Sequence, residues 1–194
     1  MTYSFSGVVP SSSLGSAALI LRAGAAKSDV DIANTTDPQR LAGVKEDIQL
    51  ANSLGMPVIV NFHHHQDMNN AAANVENDPE SFQAELQKFV TMWTQVAAAL
   101  NSIPDDMIVF EIMNEPHDIK KSSTVNEIMT ASYNAIRAVA PTKTIMFEGN
   151  GYSKFAEIKK LDLPKDDGNI IVSGHYYDPY AAPLLPFLKK GSER

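Results

Sequence analysis

The sequence contains no cysteine. Disulfide bonds, zinc–thiolate centres and thiol catalysis are therefore excluded, and core burial must hold the fold together. Basic residues are also scarce, with 16 Lys and Arg against 23 Asp and Glu, for a net charge of −7. A nucleic-acid partner is not expected, because neutralising phosphates requires a surplus of Lys and Arg. No apolar run is long enough to span a bilayer, so no membrane association is expected.

The first residues lack the basic region and the long apolar stretch of a secretory signal. We therefore expect an intracellular protein, or a processed or engineered form of a longer one. With 194 residues, the chain has the length of one domain, which we place over residues 1–194.

From residue 37 onward, helix and strand signals alternate. Asp37 and Pro38 are typical of an N-cap and a first helical turn, and Gly55 is typical of a helix end. The β-branched run 57–62 favours a strand buried on both faces. Further strands are predicted over 3–9, 18–21, 107–113, 144–147 and 169–172, with helices opening at Asp78, near Val125 and at Ser153. This alternation predicts a parallel sheet of about six strands whose chemistry lies at the carboxyl ends of the strands.

All five histidines follow predicted strands directly. They are His63, His64, His65, His117 and His175. Because the carboxyl ends of parallel strands share one edge of a sheet, we predict that this edge is the functional site. Two side chains nearby are expected to serve the fold instead: Glu111, buried and paired within its strand, and Trp93, packed in the core.

The sharpest motif is Phe-Glu-Ile-Met-Asn-Glu-Pro-His over residues 110–117. A Glu at a strand end, walled by apolar neighbours, can have the raised pKa that a proton donor to a glycosidic oxygen needs. The motif resembles the fourth-strand Asn-Glu-Pro signature of glycoside hydrolase family 5, the cellulase-like barrels. The resemblance implies that Glu115 is the acid/base and that Asn114 binds the sugar 2-hydroxyl.

Other motifs resemble the same family in the right order. Residues 58–64 are similar to its third strand, which makes His63 the substrate-site histidine and His64 a second candidate. His175-Tyr-Tyr177 is similar to the sixth-strand motif. This match implies that His175 lines the cleft and that the Tyr177 hydroxyl forms a hydrogen bond with the nucleophilic carboxylate. Residues 147–152 and 161–164 resemble the fifth strand and its following linker. The weakest match is Arg22, which corresponds to the arginine that steadies the nucleophile from the family's second strand.

The resemblance covers residues 37–180 and implies an α/β fold of the (β/α)8 TIM-barrel type, incomplete in this chain. The family's nucleophile is a Glu that ends the seventh strand, and no residue matches it. After His175 the acidic residues are Asp178 and Glu193, and neither fits. The chain is then a fragment completed by a partner or second copy, or a short homologue that binds sugar, or Glu148 replaces the nucleophile.

The resulting prediction is a retaining glycoside hydrolase for β-linked polysaccharide, by default an endo-β-1,4-glucanase, with no cofactor and no metal. The family is commonly secreted. The alternative is a non-catalytic barrel that binds carbohydrate or assembles with another chain. A metal site formed by the 63–65 histidines with Asp67 and His175 is disfavoured, because successive strand residues point to opposite faces. Exposed sheet edges also predict self-association, which light scattering would detect.

Overall fold

The computed structural model describes residues 38–63 and 65–176. The helices are α1 Pro38–Ser53, α2 Gln66–Ala73, α3 Pro79–Leu100, α4 Ser122–Val139, α5 Asn150–Ser153 and α6 Phe155–Ile158. The strands are β1 Val58–Asn61, β2 Ile108–Glu111, β3 Thr144–Glu148 and β4 Ile170–Ser173, with a 3-10 turn at Asp105–Met107 before β2.

The four strands form one parallel sheet in the order β1-β2-β3-β4. Strands that are consecutive in sequence are also neighbours in space, and a helical segment connects each pair. The predicted α/β architecture is therefore observed in the described part of the chain. The predicted strands 3–9 and 18–21 lie outside it.

Helix α3 shows why these segments fold as they do. The Asp78 side chain caps its N-terminus by accepting a hydrogen bond from the Ser81 backbone nitrogen at 2.9 Å, and Pro79 occupies the first turn. The buried stripe of α3 comprises Phe82, Leu86, Phe89, Trp93, Val96, Ala97 and Leu100. Trp93 is fully buried and donates its indole N–H to the Ile112 carbonyl at 2.9 Å, which confirms its predicted core role.

The strand register gives the sheet two different faces, because alternate side chains of a strand point to opposite sides. One face packs on the helices and is apolar, with Val58, Val60, Ile108, Phe110, Ile145 and Phe147. Asn61 pairs with Glu111, and Glu111 pairs with Met146, so these residues share the other face together with Glu148. This second face carries the buried polar side chains Asn61, Glu111 and Glu148.

Three elements of the structure differ from the prediction. Helix α2 was not predicted, because it is only eight residues long and its buried stripe of Met68, Ala71 and Ala72 is short and made mainly of alanine. The predicted strand 107–113 ends at Glu111. The single helix predicted over 153–161 is replaced by the short helices α5 and α6, because Lys154 between them adopts extended backbone angles, with φ −61° and ψ 140°. Among the described residues, no helix is both long and apolar enough to cross a membrane.

Candidate active site

Glu115 lies in the loop that follows β2, at the carboxyl edge of the sheet. Its backbone has φ of 50°, a left-handed conformation that L-residues rarely adopt. Tyr152 and Ser153, in α5 after β3, also have positive φ values of 64° and 56°. Each such residue costs on the order of 1–3 kcal/mol, and backbone strain of this kind clusters at functional sites.

His175 connects Glu115 with Glu148. Its Nδ1 lies 2.6 Å from Glu115 Oε1, and its Nε2 lies 3.1 Å from Glu148 Oε1. The Glu148 carboxylate, followed by Glu115, raises the pKa of His175 to about 9 despite partial burial. His175 is therefore an imidazolium at neutral pH, hydrogen-bonded to Glu115 and ion-paired with Glu148. Glu115 therefore contacts an ionisable imidazole ring, whereas the sequence suggested apolar neighbours.

Glu148 is fully buried at the end of β3. Its Oε2 accepts hydrogen bonds from the Glu115 backbone N–H at 2.7 Å and from the Ser153 hydroxyl. Burial raises its pKa, but the hydrogen bonds from His175, Glu111 and Ser153 outweigh burial and hold the pKa below its usual range. Glu148 is thus an ionised carboxylate enclosed by donors.

Glu111 is the second buried carboxyl group, on β2 beside Glu148. It is 6% exposed, and Asn61 donates a side-chain hydrogen bond to its Oε2. Burial, followed by the neighbouring Glu148, raises the pKa of Glu111 to about 8. Glu111 therefore keeps a proton at neutral pH while Glu148 stays ionised. The expectation that Glu111 is buried and paired is confirmed.

The other sequence-predicted site residues lie at different places. Asn114 is 7% exposed, and its Nδ2 has no hydrogen-bond partner within the described ranges. His63 lies half-buried in the turn directly after β1. Arg22, His64 and Tyr177 lie outside the described residues. The structure therefore brings together Glu115, Glu148 and His175, with Asn114 next to Glu115 in the chain.

His65 serves the fold. Its Nδ1 accepts the Met68 backbone N–H at 3.2 Å and so caps α2, while its ring packs edge-on against Phe89 at 5.0 Å. Burial lowers its pKa, so the ring is neutral. Because this hydrogen bond occupies Nδ1, His65 has a structural role as the cap of α2 and needs no bound ligand to account for its position.

An aromatic pair adjoins Glu115. The His117 and Tyr152 rings stack with centroids 4.7 Å apart and 6° between their planes. Tyr152 is 47% exposed, and its backbone N–H donates to the Pro116 carbonyl at 3.0 Å. The pair therefore presents an exposed ring face beside the loop that carries Glu115.

Sequence reasoning predicted that Glu111 is buried and paired, but it did not identify Glu148 and Asn61 as its neighbours, and it missed the role of Ser153 beside Glu148. A signal existed for Glu111, since a charged residue within an apolar strand needs a buried partner. None existed for Ser153, whose contact with Glu148 depends on the left-handed turn in α5.

A parallel sheet with helices on one face and with a Glu, a His and a buried carboxylate at its carboxyl edge is the arrangement of (β/α)-barrel glycoside hydrolases. Residues 20–184 match the family model of cellulase, glycosyl hydrolase family 5. The chain belongs to this family, and its fold is the corresponding part of a (β/α)8 barrel.

Known relatives agree with this assignment. Endoglucanase H of Acetivibrio thermocellus is 25% identical over 146 residues, which cover 75% of this chain and 15% of that protein. Cel5A of Thermotoga maritima, solved with cellobiose, superposes with a TM-score of 0.66 at 29% identity, covering 81% of this chain and 46% of that chain. Its structure with mannotriose gives a TM-score of 0.65 at 28% identity, covering 80% and 46%. The chain thus spans less than half the length of these proteins.

Proposed function

We propose that this chain carries the acid/base site of an endo-β-1,4-glucanase, with Glu115 as the proton donor. The observation that supports this role most directly is the 2.6 Å contact between Glu115 Oε1 and His175 Nδ1 at the carboxyl edge of the sheet. The Glu115 side chain is 18% exposed, so it is held firmly and still reaches solvent. A donor to a glycosidic oxygen must be both fixed and accessible.

The proposed reaction has two steps. Glu115 receives a proton across its contact with the His175 imidazolium and passes it to the leaving oxygen, as the C1–O bond breaks and a nucleophilic carboxylate bonds to C1. Glu115 then takes a proton from water, which attacks C1 and releases the nucleophile. Asn114 offers its Nδ2 to the sugar 2-hydroxyl, and the stacked pair of His117 and Tyr152 lines the adjoining surface.

Glu148 is poorly suited to be that nucleophile. It is fully buried, and its Oε2 already accepts two hydrogen bonds. A carboxylate in this position cannot approach a sugar carbon without breaking the network that holds Glu115. We therefore assign Glu148 to positioning and place the nucleophile outside the described residues. Self-association remains a prediction for light scattering.

The substrate is proposed as β-linked glucan, with mannan as the second candidate. Relatives are named endoglucanases, and the T. maritima Cel5A structures contain cellobiose and mannotriose. These names describe the relatives. For this chain, reducing-sugar release from carboxymethyl cellulose and from mannan measures the preference directly.

The decisive experiment compares wild type with Glu115→Gln on carboxymethyl cellulose. Loss of about a hundredfold or more is expected for a general acid/base. The matched control is Glu127→Gln, which changes an exposed carboxylate on α4 and should keep wild-type activity. An inert wild type that still binds cello-oligosaccharides would instead support the carbohydrate-binding alternative.

A further inference from the structure

Three side chains that can bind a metal ion meet at the polar face of the sheet, near its carboxyl edge. Glu111, Glu148 and His175 each offer a donor atom, and these atoms lie within 4.8 Å of one another. This spread is roughly twice a metal–ligand bond of ~2.2 Å, so small side-chain shifts would bring all three donors onto one ion. Glu111 and Glu148 are buried, and the His175 side chain is 24% exposed.

A second observation concerns a fourth side chain at the same place. Asn61 is 7% exposed and docks on the cluster through its amide nitrogen, which donates to Glu111. Its Oδ1 is buried and has no hydrogen-bond partner among the described residues. A buried acceptor without a donor is costly, and a cation would satisfy this oxygen.

We propose that Glu111, Glu148 and His175, with Asn61 Oδ1, form a binding site for a divalent first-row transition ion such as Mn²⁺. Three oxygen donors and one imidazole suit such an ion better than Mg²⁺ or Ca²⁺, which take oxygen ligands alone.

The site connects to Glu115 through one imidazole ring. His175 Nδ1 faces Glu115, which leaves Nε2, on the Glu148 side, as the nitrogen for the ion. A bound cation would therefore fix the ring with its Nδ1–H toward Glu115. Such a ligand-to-partner hydrogen bond orients the ring and tunes both groups. The ion would act as a positioning element and would not touch the sugar.

The test uses the full chain without a polyhistidine tag, stripped with EDTA and titrated with MnCl₂ in the absence of substrate. Electron paramagnetic resonance of free Mn²⁺ gives the stoichiometry, and the thermal midpoint should rise with Mn²⁺ concentration. We expect one Mn²⁺ per chain and much weaker binding of Mg²⁺. No binding at millimolar Mn²⁺ would overturn the proposal, whatever the glucanase assays show.

Two variants locate the ion. Glu111→Gln keeps the shape of the side chain but removes a charged ligand, and it should weaken Mn²⁺ binding at least about 100-fold. Asp67→Asn is the control, because Asp67 lines an acidic surface depression with Asp78 and Glu85 where cations could collect nonspecifically. Equal binding by wild type and Glu111→Gln would show that the ion lies elsewhere.

A gain-of-function variant covers the case in which Glu111→Gln fails to fold. Asn61→Asp replaces a neutral oxygen ligand with a charged one beside Glu111. We expect a lower thermal midpoint without metal, from repulsion between the carboxylates, and tighter Mn²⁺ binding than wild type. An unchanged Mn²⁺ affinity would contradict the assigned ligand set.

Discussion

The backbone N–H of Glu115 donates a 2.7 Å hydrogen bond to Oε2 of Glu148, and this bond links the loop after β2 to the end of β3. Glu148 holds Glu115 a second time through His175, which contacts both carboxylates. The proposed acid/base is therefore fixed at its backbone and at its side chain by one buried group.

Replacement of Glu148 should destabilise the fold and impair the site together. Glu148→Ala leaves the His175 imidazolium and the Glu115 N–H without their buried acceptor, and we expect a loss of about 3 kcal/mol in the free energy of unfolding. Glu148→Gln keeps an oxygen acceptor but removes the charge, so its loss should be smaller. Urea denaturation measures both values. Equal losses for the two variants would contradict a role for the charge.

Glu115→Gln should be sensitive to the leaving group. A natural glucan needs a proton on the departing oxygen, whereas a dinitrophenyl cellobioside leaves without one. We expect a loss of about 100-fold or more on carboxymethyl cellulose, and a much smaller effect on cleavage of the aryl glycoside. The kcat values for the two substrates are the measurement. A loss of the same size on both would argue against proton donation by Glu115.

Asp167 should make stability depend on pH in strong acid. Arg137 Nε donates to its Oδ2 at 2.7 Å, and this hydrogen bond lowers the pKa of Asp167 to about 2 despite partial burial. A depressed folded-state pKa stabilises the protein above the unfolded value near 4, and this stabilisation disappears as the pH falls toward 2.

The contribution of Asp167 should be at most about 2 kcal/mol, because the side chain is partly solvated. Asp167→Asn removes the titrating group and should show a flatter fall in unfolding free energy between pH 4 and pH 2 than wild type. Parallel curves for the two proteins over that window would contradict the assignment.

Gly149 should tolerate no side chain. A Cβ at this position would lie 2.9 Å from Glu157 Cβ and 3.1 Å from the Glu157 backbone carbonyl carbon, directly after Glu148. Gly149→Ala should therefore cost about 1–3 kcal/mol and reduce activity by shifting Glu148. Gly168→Ala is the control, since a Cβ there meets nothing within 4 Å. Thermal unfolding and reducing-sugar assays of both variants provide the comparison.

The sequence predicted the order of the elements well because the signals for them are local. The Asp78 cap, the Pro79 turn and the apolar stripe of α3 all lie within one segment and specify a helix whatever surrounds it. The segments that were predicted wrongly lack strong local signals. Helix α2 is short and its apolar stripe is mainly alanine, and the break between α5 and α6 depends on extended backbone angles at Lys154 that the residue type does not indicate.

What the sequence determined by itself was therefore the alternation of helix and strand and the Asn114–Glu115 motif at a strand end. Only the tertiary structure decided that Glu111 of β2, Glu148 of β3 and His175, which follows β4, meet in one cluster. The physical reason is register: which residues face each other depends on how parallel strands align, and a shift of one residue would turn these side chains to the opposite face. The pKa values of Glu111 and His175 follow from that alignment, because burial and neighbouring charge are properties of the folded chain.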